Sequence, residues 1–351
     1  MSRYCNKKLK SMEGYIPGEQ PKQENVIKLN TNENPYPPSQ KIFDFLKNVS
    51  PESLRKYPDP LATKLRKKIA ETYNLPGEEW TIVGNGMDDI ISIAIRTFVD
   101  PEEEISATYP TYTLYEVLSQ IHGIKFSYHE LDENFELHPP YSWEKSKLVF
   151  ITHPNAPSGV PVSPTTLREI LDDDSKVFFL DEAYVDFADY NYLSWVLKYP
   201  NIIVGRTFSK SFSLAGIRLG FAVGNPELIK DMMKVKDSYN VNHITQMIGI
   251  IALENIEYSK ANIERIKSTR KLLRENLIEL GFTVPNSQSN FLLALWDKKP
   301  TAKEIYLLLK ERNIFVRYFP HRRLENALRI TVGTDEQSKI LLENLRDILN
   351  H

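Results

Sequence analysis

Short apolar segments alternate with helix-type patterns between about residue 80 and residue 223. Six segments have three or four residues each: Thr81–Val83, Ile105–Ala107, Leu148–Ile151, Val177–Leu180, Ile202–Val204 and Phe221–Val223. Apolar runs of this length indicate strands that are buried on both faces of a mostly parallel sheet. Between them apolar residues recur at helical spacing, as in Leu61, Leu65 and Ile69 or Ile90, Ala94 and Ile95. The pattern predicts an α/β fold with helices on both faces of the sheet.

The chain after residue 255 predicts a smaller α+β domain. A long helical pattern over residues 256–280 is followed by a strand, a helix, two strands and a last helix, at 290–295, 302–312, 314–318, 328–332 and 335–349. The first forty residues lack helical periodicity, and we expect an arm that packs across the mouth of the site, although a disordered tail also fits their composition. The predicted division is an arm at 1–40, a large domain at 41–255 and a small domain at 256–351.

Composition and charge exclude several classes of protein. The 351 residues carry a net charge of -2, which gives no basic field for nucleic acid or for an anionic membrane. No apolar stretch is long enough to cross a bilayer. The single cysteine, Cys5, excludes an intrachain disulfide framework and a cysteine-based metal cluster. We therefore expect a cytoplasmic protein that holds no metal and binds no nucleic acid.

One lysine stands among hydroxyl groups in the segment 206–220. Lys210 follows Ser209, and Arg218 comes eight residues after the lysine. Neighbouring cations and partial desolvation lower the pKa of a lysine, as a Schiff-base lysine requires. Arg218, with the hydroxyls of Thr207 and Ser209, can bind a phosphate. A solvated basic loop between two strands is the plainer alternative.

Other polar motifs follow predicted strands. Gly84–Asp89 opens a helix after the strand at residues 81–83, so that free amides could bind an anion, while its missing third glycine excludes a dinucleotide fingerprint. Asp181 directly follows a buried strand, and a buried acid requires a cationic partner unless it caps a helix. Tyr184 and Asn155 could donate hydrogen bonds near that acid, and the face of Tyr112 could stack on a ring. Ligands of open α/β sheets bind at these carboxyl ends of strands.

In this order the motifs resemble those of the fold-type-I aminotransferases that use pyridoxal 5'-phosphate. Within that group the chain most resembles the histidinol-phosphate aminotransferase family, over nearly its whole length. The resemblance includes four further segments: Gly14–Pro21, Lys28–Pro35, Arg55–Asp59 and Leu328–Thr334. The family commonly has a PNNPTG-like turn, and Ala156 and Ser158 vary it. We expect this change to leave the role of Asn155 intact, and we expect His153 to be structural.

The resemblance implies a role for each matching residue. Lys210 would form the Schiff base with the cofactor, Asp181 would pair with its ring nitrogen, and Tyr184 and Asn155 would hold its ring oxygen. The cofactor phosphate would be bound by Gly86, Met87, Asp88, Ser209 and Arg218, and the ring would be stacked by Tyr112. The substrate pocket would be lined by Tyr15, Asn290, Arg317 and Arg329. Tyr57 would reach into the neighbouring subunit of a homodimer.

The implied reaction is transamination between histidinol phosphate and 2-oxoglutarate, a small-molecule amino donor and a 2-oxo acid. Two arginines in one pocket suit this reaction, because a phosphate and a carboxylate must bind there in turn. Three alternatives stay open: an aminotransferase for aromatic amino acids, a decarboxylase of amino acid phosphates, and a regulatory module that binds the cofactor. The regulatory module would require an additional DNA-binding domain.

Overall fold

The computed structural model describes residues 2–6, 9, 12, 14–23 and 25–350. The other positions of the predicted N-terminal arm, and the last residue of the predicted small domain, lie outside the described residues. Among the described residues the strands are β1 (Ile27–Lys28), β2 (Thr81–Gly84), β3 (Glu104–Tyr109), β4 (Lys125–Glu130), β5 (Ser146–Thr152), β6 (Val177–Asp181), β7 (Ile202–Thr207), β8 (Gly220–Gly224), β9 (Phe291–Leu295), β10 (Ile314–Phe315), β11 (Arg317–Tyr318) and β12 (Ala327–Thr331).

The α-helices of the same residues are α1 (Gln40–Lys47), α2 (Pro51–Leu54), α3 (Thr63–Thr72), α4 (Met87–Phe98), α5 (Leu114–His122), α6 (Pro164–Leu171), α7 (Pro226–Val235), α8 (His243–Glu254), α9 (Ile256–Glu279), α10 (Ala302–Glu311) and α11 (Asp335–Leu349). Side-chain caps fix several of their first turns, as at Thr301 and Thr334, where both halves of a capping box are formed. None of these helices combines the length and the apolar character that crossing a bilayer demands.

Seven strands form the central sheet, in the spatial order β2-β8-β7-β6-β5-β3-β4. β8 runs antiparallel to both of its neighbours, and the other pairs are parallel, so the prediction of a mostly parallel sheet is confirmed. Alternate residues of β6 enter different cores: Phe178 and Leu180 pack on one face of the sheet, and Val177 and Phe179 on the other. Burial on both faces explains the continuous apolar runs of the sequence.

A second core lies in the chain after α9. β11, β12 and β9 form an antiparallel sheet that packs with α9, α10 and α11. The arm joins this core, because β1 pairs in parallel with β10 and Leu29 is buried there. Residues 27–34 are thereby held against the rest of the molecule, as expected of an arm and not of a disordered tail. The predicted domain boundaries themselves remain predictions.

The pattern analysis missed some elements. β4 was not predicted because it is an edge strand whose residues are mostly half-buried, so it has no continuous apolar run. Leu61 was assigned to a helix face, but it precedes α3 and is 50% exposed. The other members of that predicted face, Leu65 and Ile69, are fully buried. The error at Leu61 arises because i, i+4 spacing can continue by chance beyond the end of a helix.

Candidate active site

A cavity of about 1010 Å³ lies at the carboxyl ends of the central strands. The arm forms part of its wall with residues 14–18 and 30–33. It brings together most of the predicted site residues: Tyr15, Met87, Asp88, Tyr112, Asp181, Tyr184, Ser209, Lys210, Arg218, Arg317 and Arg329. These residues come from both cores and from the arm, so that only the complete fold assembles the cavity.

Lys210 is half-buried in the turn that follows β7. Its Nζ donates a hydrogen bond to the carbonyl oxygen of Thr31 in the arm at 3.2 Å and lies 5.6 Å from the ring centre of Tyr184. Burial lowers the pKa of Lys210 to about 8, and the positive charge of Arg329 acts in the same direction. At pH 7 the amine of such a lysine is neutral in roughly a tenth of the molecules, a far larger fraction than for an exposed lysine.

Asp181, the last residue of β6, is buried with its carboxylate at the cavity. Oδ2 accepts a hydrogen bond from the hydroxyl of Tyr115 at 2.6 Å, and Oδ1 accepts one from the N–H of Ala183 at 3.0 Å. Burial raises the pKa of Asp181 to about 6, while these two bonds oppose the rise. In the described part of the chain no basic side chain forms an ion pair with Asp181, so a cation bound in the cavity would be its partner.

An anion-binding site, the anion seat, lies where α4 begins. Gly86, just before the helix, has φ +80° and no Cβ, and an added Cβ would lie 2.5 Å from Nη2 of Arg218. Arg218 has a left-handed backbone with φ 55°, and its guanidinium reaches Ser209 Oγ at 3.5 Å and Asp88 Oδ2 at 3.1 Å. The N–H groups of Met87 and Asp88 have no acceptor among the described residues, and with the serine hydroxyl and the guanidinium they offer the donors that a phosphate requires.

Two tyrosines form further parts of the wall. The ring of Tyr184 packs edge-on against Phe291 at 4.9 Å, and its hydroxyl accepts a hydrogen bond from Nδ2 of Asn32 at 3.0 Å. Tyr112 contacts Tyr15 edge-on at 5.6 Å, and its hydroxyl donates to Asp88 at 3.3 Å. Burial raises the pKa of both Tyr184 and Tyr112, so both hydroxyls stay protonated near neutral pH.

The structure does not bring Asn155 into this cavity. Its Nδ2 donates to the carbonyl oxygen of Pro110 at 3.2 Å and to Oγ of Ser158 at 2.9 Å, and its side chain lines a separate, much smaller cavity. The next residue, Ala156, lies in the wall of the main cavity instead. Its amide hydrogens bond to Ser158 within the turn and to Pro110 in the segment after β3, and the expectation that Asn155 holds a cofactor ring oxygen stays a prediction.

Three other predicted residues do not line the cavity. Gly86 lies against the guanidinium of Arg218, which lines the cavity in its place. Asn290 is fully buried, and its Nδ2 donates to the backbone oxygen of Asn32, so it supports the wall from behind. Tyr57 is 80% exposed and stacks on Tyr239 with ring centres 4.5 Å apart. Tyr57 therefore has no contact with the cavity of its own chain.

Arg317 and Arg329 form the polar end of the cavity. They are paired across β11 and β12. Arg329 donates to the carbonyl oxygen of Asn30 at 3.1 Å, and Arg317 donates to those of Pro17 and Ile16 at 3.2 Å. Among the described residues neither guanidinium forms a salt bridge, and Nε of Arg329 is buried without a hydrogen-bond partner. Two positive charges with free donors make this end of the cavity an anion site.

His153 is structural, as expected. It is fully buried and does not line the cavity. Its Nδ1 accepts the N–H of Val162 at 3.1 Å, which leaves Nε2 to donate to the carbonyl oxygen of Tyr190 at 3.2 Å. Burial lowers the pKa of His153 to about 4, so the ring is neutral at physiological pH.

Sequence reasoning missed residues that hold the site together. Tyr115 stacks on Phe150 at 4.6 Å and fixes the Asp181 carboxylate, and Asn32 contacts the hydroxyl of Tyr184. A buried salt bridge of 2.8 Å joins Arg206 to Glu182 near the lysine turn. Asn32 lies in a segment that carried the family resemblance, but the sequence contained no signal for the role of Tyr115. Its helical position is typical of an ordinary core residue.

These residues fit pyridoxal phosphate in four respects. Asp181 is a buried acid that forms no ion pair with any described residue, and Lys210 has a lowered pKa. Tyr184 presents a hydroxyl, and the anion seat around Arg218 suits a phosphate. Each of these features would bind one group of the cofactor: the ring nitrogen, the aldehyde, the ring oxygen and the phosphate. Asn155 does not contribute to this fit in the structure, because its amide bonds to Pro110 and Ser158.

One group of side chains in the described residues has ligand atoms close enough together for a metal ion. His138 lies 3.4 Å from both Asp132 and Glu136, and the group is largely exposed. It lies outside the lining of the cavity. Exposed groups of this kind commonly form ordinary ion pairs, and the expectation of no metal stays a prediction.

Comparison with known proteins gives the same family. The model of the class I and II aminotransferases matches residues 24–345. The histidinol-phosphate aminotransferase of Rippkaea orientalis is 43% identical over 335 residues, which are 95% of each chain. That of Clostridium botulinum strain 657 is 40% identical over 354 residues, covering 100% of this chain and 99% of the relative.

Solved structures share the fold. The histidinol-phosphate aminotransferase from Clostridium acetobutylicum superimposes with a TM-score of 0.84 at 23% identity, over 93% of this chain and 99% of the other. The enzyme from Sinorhizobium meliloti in complex with pyridoxal-5'-phosphate gives a TM-score of 0.82 at 21% identity, over 92% and 91% of the chains. At these identities the structural similarity supports the fold alone. The family model and the full-length relatives decide the membership: this chain belongs to the class I and II aminotransferase family.

Proposed function

We propose that this protein transfers the amino group of L-histidinol phosphate to 2-oxoglutarate, giving imidazole acetol phosphate and L-glutamate for histidine biosynthesis. The observation that carries the proposal is the pair Arg317 and Arg329 in the cavity that also holds Lys210, since neither arginine has an acidic partner in the part of the chain that the structure describes. The names of the full-length relatives support the choice of substrate.

Pyridoxal phosphate, when bound, supplies an aldehyde that captures the amine and a protonated ring that withdraws electrons from the substrate carbon. Lys210 would hold the aldehyde of the cofactor, and Tyr184 would bind its ring oxygen. The cofactor phosphate would bind in the anion seat of Met87, Asp88, Ser209 and Arg218. The buried carboxylate of Asp181 would keep the ring nitrogen protonated. A cation beside Asp181 lowers the pKa of its carboxyl, so the acid stays ionised at neutral pH.

Proton transfer falls to Lys210. Its Nζ is within reach of the cavity, and a pKa of about 8 leaves a usable fraction of neutral amine at pH 7. A neutral amine can remove the proton from the amine-bearing carbon of the substrate, and its protonated form can return one. The carbonyl oxygen of Thr31 accepts a hydrogen bond from Nζ and so helps to orient the amine.

Substrate binding falls to the two arginines. Both substrates carry an anionic end, a phosphate in one and a carboxylate in the other. Planar guanidinium groups bind either through two parallel hydrogen bonds, and this explains how one pocket could serve both half-reactions. The ring of Tyr112 would stack on the cofactor ring, and Tyr15, which contacts Tyr112 edge-on, forms a wall that an imidazole could contact.

The substrate assay compares three amines. Purified protein with pyridoxal phosphate and 2-oxoglutarate is given histidinol phosphate, phenylalanine or threonine phosphate, and glutamate is measured. We expect the largest kcat/KM for histidinol phosphate. Faster turnover of phenylalanine would favour an aromatic aminotransferase, and release of carbon dioxide from threonine phosphate without glutamate would favour a decarboxylase. No glutamate from histidinol phosphate would contradict the proposal.

A homodimer in which Tyr57 reaches the neighbouring site is part of the proposal. The side chain is 80% exposed, and Leu54 and Leu61 nearby are 60% and 50% exposed, as expected of a surface that another subunit covers. We also propose that the enzyme works in the cytoplasm, because a single cysteine is typical of reducing compartments.

Mixed dimers test the role of Tyr57. A Tyr57→Ala chain and a Lys210→Ala chain are each expected to be nearly inactive. If Tyr57 acts across the interface, random mixing gives hybrids with one intact site and about a quarter of wild-type activity. If Tyr57 acts within its own chain, mixing restores nothing, and light scattering that shows a monomer would contradict the dimer itself.

A further inference from the structure

Asn32 is a buried residue of the arm whose side chain touches the site. It is 1% exposed, and its backbone is left-handed with φ 56°. Asparagine tolerates this conformation better than most residues, because its short amide can hydrogen-bond to nearby groups. The backbone conformation and the burial together fix where the amide lies.

Four hydrogen bonds use the polar atoms of Asn32. Its N–H donates to Oγ1 of Thr331 at 3.0 Å, and that hydroxyl donates back to Oδ1 of Asn32 at 3.1 Å. Its backbone oxygen accepts from Nδ2 of Asn290 at 3.0 Å. Its Nδ2 donates to the hydroxyl oxygen of Tyr184 at 3.0 Å. Every bond except the last connects Asn32 to the chain after residue 289.

The network sets the direction of the bond to Tyr184. Because Oγ1 of Thr331 already accepts the N–H of Asn32, its own hydrogen is available for Oδ1, and the amide then turns Nδ2 toward Tyr184. A tyrosine oxygen that accepts this bond keeps its hydrogen free. That hydrogen can point into the cavity, which Tyr184 lines.

The same network anchors the arm beside the anion site. Thr331 lies two residues after Arg329 on β12, and Arg329 donates to the carbonyl oxygen of Asn30. Side chains two residues apart on a strand lie on the same face. The arm is therefore attached to β12 through both Arg329 and Thr331, whose N–H also donates to the carbonyl oxygen of Leu29 at 2.9 Å. Asn32 connects this attachment to Tyr184.

We propose that Asn32 is a positioning residue that makes the Tyr184 hydroxyl a hydrogen-bond donor to the ring oxygen of the bound cofactor. The inference rests on the cofactor assigned above and does not depend on which amine is the substrate. The charged groups that face Tyr184 are Arg329, Lys210, Asp181 and Asp88. None of them can replace Asn32 in setting the direction of the hydroxyl, because Asn32 forms the hydrogen bond to its oxygen.

The test is a pH titration of the visible absorbance of the purified holoenzyme, without any amine substrate. Asn32→Asp keeps the shape of the side chain but replaces the donor by an acceptor, which would draw the tyrosine hydrogen away from the cofactor. Donors stabilise the ionised ring oxygen, so losing one raises the pH midpoint of the absorbance change. We expect a rise of about one pH unit or more.

The matched control is the same substitution in a Tyr184→Phe background. There Asn32→Asp has no hydroxyl to turn, and we expect it to add less than about 0.3 pH units. An equal shift in both backgrounds, or no shift in the Tyr184-containing enzyme, would overturn the proposal. A protein that stays colourless with added pyridoxal phosphate would instead refute the cofactor assignment, so the two failures are distinguishable.

A second variant covers the case in which Asn32→Asp does not fold. Thr331→Val removes the hydroxyl that fixes the amide of Asn32, leaving the amide free to turn. We expect a smaller shift of the midpoint in the same direction, together with a lower kcat and little change in KM for the amine. An unchanged midpoint and kcat in this variant would count against the role of Asn32.

Discussion

The hydroxyl of Tyr115 is expected to control the charge of Asp181. The substitution Tyr115→Phe removes only this hydroxyl and keeps the ring. The hydroxyl donates to Oδ2 of Asp181 at 2.6 Å inside the protein. A hydrogen bond to a charged group contributes about 1.5–3 kcal/mol, which corresponds to about 1–2 units of pKa. Because this bond favours the ionised form, its loss raises the pKa of Asp181 from about 6 to a value between about 7 and 8.

The consequence is a pH-dependent loss of cofactor affinity. At pH 6 the ionised fraction of Asp181 in the apoprotein falls from roughly a half to between about a tenth and a hundredth, so pyridoxal phosphate should bind roughly 5- to 50-fold more weakly. At pH 8.5 Asp181 is largely ionised in both proteins, and the difference should be less than about twofold. Titration of the apoprotein with the cofactor at both pH values measures these two ratios.

Tyr192→Phe is the matched control. Tyr192 is also buried, and its hydroxyl also donates a bond of 2.6 Å, but to the carbonyl oxygen of Val162. This variant should lose comparable stability and keep its cofactor affinity within about twofold at both pH values. The reasoning is refuted if Tyr115→Phe weakens binding equally at pH 6 and pH 8.5, because a structural defect would not follow the titration of Asp181.

Three further outcomes are expected. Lys210→Ala should lower turnover by roughly 10²–10⁴-fold, and borohydride treatment should no longer add the mass of the cofactor; near-normal turnover would contradict the role of the lysine. Arg329→Ala should raise KM for histidinol phosphate roughly 10- to 100-fold while cofactor binding persists, and a lost cofactor would show that the arginine serves another group. His153 favours its neutral form in the folded protein, so its contribution to the free energy of unfolding should be complete above about pH 6.5 and lost as the pH falls toward 4, by about 3 kcal/mol. Denaturant unfolding of the apoprotein should show this slope, and His153→Gln should flatten it.

The sequence pattern predicted the central sheet well. The strands that are buried on both faces, such as β5 and β6, carry continuous apolar runs and were found within a few residues of their bounds. The edge strand β4 was missed, because one-sided burial leaves a weaker pattern. A strand that is buried on both faces has a continuous apolar run, and a strand that is buried on fewer sides has a weaker apolar pattern.

The sequence indicated some residues of the candidate site more reliably than others. Asp181 and Lys210 were singled out because each lies at or just after the end of a strand and because its chemistry is distinctive at that position. Asn155 was assigned by its place in a motif, and its role stays a prediction, because in the structure its neighbour Ala156 lines the cavity. Adjacent residues of a turn point in different directions, and residue order alone does not say which one faces the ligand.

The sequence by itself determined the α/β class, the order of the strands along the chain and the family, since these depend on local burial patterns and on motifs that are contiguous in the chain. Only the tertiary structure decided that Tyr115 supports Asp181, that Asn32 contacts Tyr184 across 152 positions, and that Arg317 and Arg329 lie side by side. Such contacts join distant segments, and their hydrogen bonds depend on distances and directions that exist only once the chain has folded.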